Sequence, residues 1–219
     1  NDIHISRQTM SSWVIKSSEH YLSLLYDRMH QQIYQGPVIH ADETPVKVKR
    51  DGRDTMCNSY MWVYRSGHLY TDKQIVLYDY HKTRNSSHPR EFLSNYSGIC
   101  VTDGYQVYHT IEKECEDLQI AGCWVHARRK FDEALTVIPK AHRNKSDAFL
   151  VIKQIQAIYR EEGKLNELSS EERLTQRQLV IKPLVDALFA YLKKMEKFLL
   201  IITPVSYTHL RAHETLANL

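Results

Sequence analysis

The chain has 219 residues, 42% of them hydrophobic, enough for one good-sized core plus an appendage. Its 29 Lys and Arg stand against 26 Asp and Glu, a net charge of +3. That balance excludes a strongly basic surface, so any affinity for a polyanion has to come from clustered charge. No apolar run approaches the roughly 18 residues of a membrane helix, so no membrane partner is expected. The polar start has no signal-peptide pattern.

Residues 3–15 predict a helix capped by Ser6, with Met10, Trp13 and Val14 on one face and Arg7, Gln8 and Ser11 off it. Two readings stay open for it, a simple amphipathic helix or the recognition helix of a helix-turn-helix. A second helix is expected from about Ser17 to Tyr34, with Tyr21, Leu24, Leu25, Arg28 and Met29 as its stripe. The first strand is Val38–Asp42. It continues through Pro45 to Val48 and turns at Asp51-Gly52, a hairpin signal. Tyr60–Tyr64 is a second strand, turned by Ser66-Gly67, and Gln74–Tyr80 a third. A short helix over Arg90–Tyr96 precedes the fourth strand, Ile99–Thr102. Residues Tyr105–Glu116 are partly helical, and Ile120–Trp124 is the fifth strand.

After Phe131 the pattern is helical to about Ile201. Ala148, Ile152, Ile155 and Tyr159 make one stripe; Leu184, Leu188, Tyr191, Met195 and Leu199 make another. These helices are expected to expose apolar surface. Ser169-Ser170-Glu171-Glu172 is a capping box. The tail from Val205 to Thr215 is read as foreign to the fold. The expected organisation is a helical N-terminal region over 1–34, an α/β core over 35–140, a helical insertion over 141–202 and a foreign or disordered tail over 203–219.

The four cysteines, Cys57, Cys100, Cys115 and Cys123, are scattered with no Cys-x-x-Cys pair. Cys123 and His126 have half of a zinc-ligand spacing, with no second half nearby. Cys100 and Cys123 read better as small buried hydrophobes, and lone thiols fit a reducing cytoplasm.

Two apolar runs end in an aspartate: Pro37 to Asp42, and Gly98 to Asp103. If their strands are neighbours, the two carboxylates converge and repel unless a cation lies between them. A hard cation with oxygen ligands, Mg²⁺ or Mn²⁺, suits such a pair. On pattern alone the plainer reading holds, that both aspartates start turns; Asp103-Gly104 is a turn dipeptide. A third segment, Cys123-Trp124-Val125-His126-Ala127-Arg128-Arg129-Lys130-Phe131, opens a helix and puts Arg128, Arg129 and Lys130 on it. Such a run suits phosphate oxygens, or is simply a solvated helix face.

His40-Ala41-Asp42-Glu43-Thr44, Asp103-Gly104-Tyr105 and Cys123–Phe131, in this order and spacing, resemble the transposases of the insertion sequence 66 family. The resemblance covers about residues 1 to 200. It implies a DDE-type catalytic core: an RNase H-like mixed α/β sheet with helices, a helical segment before it and a helical insertion after it. A three-strand meander followed by helix, strand, helix and strand agrees with that core. The resemblance also implies two divalent metals and cut-and-join chemistry on DNA. Asp42 and Asp103 match the family's first two catalytic acids and metal ligands; Arg128, Arg129 and Lys130 would position DNA phosphates. Lys47, Lys49, Arg50 and Arg53 are a weaker second basic patch. The implied partners are transposon ends, target DNA and further copies of the chain in a synaptic complex, in the bacterial cytoplasm.

The chain departs from the family pattern at three places. The third acid, a glutamate beyond the helical insertion, has no match. A coiled segment and a Cys-rich zinc-binding piece that usually come first are absent. Residues from about Pro204 do not match. The expectation is therefore a transposase fragment with an incomplete triad. Its rivals are a non-catalytic DNA-binding remnant and another RNase H-like nuclease, and the nine-residue Cys123–Phe131 motif argues against the latter.

Overall fold

The fold comes from a computed structural model that describes residues 5–48, 52–53, 57–67 and 74–196. Lys49, Arg50, Asp51, Leu199 and the tail lie outside the described residues. The chain divides into two compact units, Asn1–Gly98 and Ile99–Leu219. Five strands form a mixed sheet in the order β3-β2-β1-β4-β5.

The first unit opens with α1 (Arg7–Ser17), a π-helical turn (Ser18–Leu22) and α2 (Ser23–Ile33). Ser6 caps α1 as expected, accepting the Thr9 N–H at 3.1 Å. The two expected helices run on from one another through the π turn, where the Ser23 hydroxyl donates to the Glu19 carbonyl at 2.9 Å. The expected stripes are not the packed ones. Met10, Trp13 and Val14 are exposed, and so are Tyr21, Leu24 and Leu25. What anchors α2 is its last two turns: Ile33 is buried, and the rings of His30 and Tyr34 lie against Phe92. The Tyr34 hydroxyl donates to the Phe92 carbonyl. Aromatic rings with a polar edge settle this contact, which counting apolar residues alone passes over.

β1 (Val38–Val46), β2 (Ser59–Ser66) and β3 (Val76–His81) form the expected meander, antiparallel throughout. Alternation along β2 buries Trp62 and Tyr64 completely. α3 (Ser87–Leu93) places Phe92 on the Tyr64 ring, three residues earlier than the helix was expected to begin. At Gly98 the chain enters β4 (Gly98–Thr102) with φ +145°, and a Cβ there would meet the Pro37 carbonyl oxygen at 2.8 Å. Only glycine fits so close an approach.

The second unit holds the rest of β4, α4 (Gln106–Glu114), β5 (Leu118–Gly122) and α5 (Trp124–Thr136). β5 ends two residues sooner than expected, because Cys123 is already the N-cap of α5. A short turn of helix, α6 (Lys140–Arg143), leads to α7 (Asp147–Gly163), α8 (Ser170–Gln176), a π turn (Arg177–Ile181) and α9 (Lys182–Glu196). The Ser169–Glu172 capping box is formed on both sides. These helices largely cover one another: Val151, Ile152, Ile155 and Ile158 of α7 pack with Ile181, Val185, Leu188 and Phe131. Tyr159, expected in that stripe, is 43% exposed. Among the described residues no helix is long and apolar enough to cross a membrane.

Candidate active site

Asp42 ends the apolar run but lies within β1, opposite Val63 of β2. Antiparallel pairing with β2 carries the strand on to Val46, two residues short of the expected Val48. Ile39 and Ala41 are buried while His40 and Asp42 are exposed, so the acid sits on the open side of a half-buried strand. Its Oδ1 accepts the Glu43 N–H at 2.9 Å.

Glu43 points the other way, as strand alternation requires, and so cannot share a ligand set with Asp42. Its side chain is 2% exposed and paired with Arg84, whose Nε donates to Oε1 at 2.8 Å. This ion pair beside the first acid, buried only on its Glu43 side, escaped sequence reasoning, because Arg84 is 41 residues away in the chain. A histidine pair brackets the same loop, His81 closing β3 and His88 in the first turn of α3. His81 Nε2 meets Asp79 Oδ2 at 2.7 Å, its ring stacks on His88 at 3.6 Å, and His88 Nε2 meets Thr83 Oγ1 at 3.1 Å. Burial, with the charge of His81, pushes the His88 pKa down.

In the second unit Asp103 follows β4 directly. Its Oδ1 accepts the Tyr105 N–H at 2.9 Å, an Asx-type turn that leads into α4. The plain turn-starting role is therefore real for this residue. It occupies one oxygen; Oδ2 makes no hydrogen bond among the described residues. The Cys123 N–H donates to the Thr102 carbonyl at 2.7 Å, which sets the start of α5 beside the Asp103 turn.

Arg128, Arg129 and Lys130 all lie on α5 but do different things. Arg128 Nε is 3.5 Å from Asp132 Oδ2, and Lys130 Nζ is 3.3 Å from Glu133 Oε2. Arg129 is exposed and has no ion-pair partner among the described residues. The second basic patch fares less well. Arg53 donates to the Lys82 carbonyl and the Ser59 hydroxyl, so it ties loops together. Lys47 is exposed. Cys100 is buried as expected, and burial pushes its thiol pKa up; Cys123 is only half-buried. Among the described residues no group of three or more His, Cys, Asp or Glu is gathered to hold a metal.

Comparison with known proteins bears directly on these motifs. The chain matches the family described as Transposase IS66 family over residues 1–214, past Pro204 and into the tail. It is similar to three uncharacterized proteins of Sinorhizobium fredii (strain NBRC 101917 / NGR234). y4qI is 30% identical over 59% of this chain, y4hP 26% over 84%, and y4jD 25% over 87%. The alignments take in 25%, 36% and 38% of those proteins, so the chain spans under two fifths of the length of these curated relatives. A match over nearly the whole chain, together with a mixed five-strand sheet flanked by helices, makes this chain a member of the IS66 family of DDE-type transposases.

Proposed function

We propose that this chain supplies two of the three acids with which an IS66 transposase cuts transposon ends and joins them to target DNA. The observation that carries the reading is the family match over residues 1–214, with Asp42 and Asp103 in the motifs that resemble those of its first two acids; Asp42 is exposed on β1, and Asp103 follows β4 directly. Two carboxylates are hard oxygen donors and fit Mg²⁺ or Mn²⁺. Metals bound there supply the charge that activates the attacking oxygen and steadies the leaving one.

The chain's own residues do the rest. Asp42 is held in position by the β1–β2 ladder and by the Glu43 N–H. Asp103 is held by the Tyr105 N–H, with Oδ2 open to a cation. Arg129, with Arg128 and Lys130 less available, binds phosphate oxygens along α5. The family's third acid, a glutamate, has no motif match among these 219 residues.

Mn²⁺ titration followed by paramagnetic relaxation tests the site without needing turnover. The wild-type chain should show one Mn²⁺ site that Asp42→Asn and Asp103→Asn each weaken at least tenfold. Loss in one variant but not the other would separate the two acids and end the proposal. If neither substitution changes Mn²⁺ binding while the chain still binds DNA, the alternative of a non-catalytic DNA-binding remnant takes its place.

A further inference from the structure

α5 has two working faces. Ala127 and Phe131 are buried, and Trp124 and Leu135 pack beside them against the helical core. Val125, Arg128, Arg129 and Asp132 recur at three- and four-residue spacing on a different face. With Tyr159 of α7 they line an open hollow of about 400 Å³. Lys130, next in sequence to Arg129, is not part of the lining.

Each lining group offers something different. Tyr159 follows the buried Ile155 and Ile158, which fix the helix beneath it, while its ring is 43% exposed. Its hydroxyl makes no hydrogen bond among the described residues. Burial, helped by Cys123 and opposed by Arg128, pushes its pKa up to about 12, so the ring is a neutral phenol at physiological pH. Val125 is 55% exposed and gives the hollow an apolar edge. Arg128 Nε is buried, and at 3.5 Å from Asp132 that pairing is Coulombic, leaving the N–H without a hydrogen bond. Asp132 competes for Arg128, so an incoming phosphate falls first to Arg129.

Cations alone would serve a bare phosphate. A neutral aromatic plane and an apolar edge beside two guanidinium groups serve a base together with its phosphate. Bases inside a duplex are already stacked and out of reach of such a ring. The geometry points to the hollow between α5 and α7 as a site for one unpaired DNA nucleotide, its base on Tyr159 and its phosphate on Arg129 and Arg128. This deepens the proposed DNA role and rests on it.

The test uses the full 219-residue chain and three labelled DNAs of the same flanking sequence. One is fully paired, one carries a single unpaired nucleotide, and one carries the same bulge without its base. Wild type should bind the base-bearing bulge about tenfold more tightly than either of the others. Tyr159→Ala should bring that ratio to about one, and Tyr159→Phe should keep it. Equal wild-type affinity for the bulge with and without its base overturns the inference while leaving the DNA role standing. So does a preference that survives in Tyr159→Ala. Absence of binding to all three DNAs overturns both. The wild-type comparison needs no variant, so a poorly folding Tyr159→Ala does not blunt the test.

Discussion

Removing Arg84 should destabilise the first unit far more than its loop position suggests. Arg84→Ala leaves the Glu43 carboxylate, only 2% exposed, without its guanidinium. For two fully buried charges, losing one partner costs about 3–5 kcal/mol. Arg84 itself is 40% exposed, so solvent already screens the pair and water can follow the lost side chain. The expected cost is therefore reduced to roughly 2–3 kcal/mol. In a chain of this size each kcal/mol moves the melting temperature by about 2–4 °C, which predicts a fall of roughly 4–12 °C. Replacing both partners, Glu43→Met with Arg84→Met, should restore most of it, because no charge is then left buried. Thermal melts of wild type, the single and the double variants, at low and high salt, read this out. High salt should narrow the difference only in part, since Arg84 is open to solvent while the Glu43 carboxylate is not. A fall under about 2 °C in Arg84→Ala, or a double variant as unstable as the single, would refute the reasoning.

Gly98→Ala forces a Cβ against the Pro37 carbonyl at a positive φ and should cost about 1–3 kcal/mol, visible as a lower melting midpoint; an unchanged midpoint would show that the backbone gives way freely. His30 and His88 both have pKa values lowered chiefly by burial, so the unfolded chain takes up protons that the native one refuses. Stability should be full above about pH 6.5 and fall as the pH drops below it, with a shallower fall in His88→Gln; a melting temperature flat across that range would contradict the burial. Arg129→Ala should flatten the salt dependence of duplex binding by about one unit of slope, whereas Lys130→Ala, whose cation is shared with Glu133, should flatten it less. Equal slopes for the two variants would mean that the carboxylate partners play no part.

Much of this protein was legible as a string. Three motifs in fixed order named the family, since their residues are specific enough to stand without a fold. The meander showed in the aromatic and branched run Tyr60–Tyr64, because strand periodicity is local. The Ser6 cap and the Ser169–Glu172 box showed for the same reason: each hydrogen bond closes within three residues. What periodicity could not supply was the identity of the packed face. Met10, Trp13 and Val14 make as good a stripe as any, yet they are exposed, because a stripe states only that residues share a side. Whether that side is covered depends on a partner elsewhere. For α2 the partner is Phe92, and it selects His30 and Tyr34. The Glu43–Arg84 pair and the Tyr159 hollow likewise join residues far apart in the chain. The three consecutive cations make the same point: sequence puts them together, and the helix, turning about 100° at each residue, sends Arg128 and Arg129 into the hollow and Lys130 out of it.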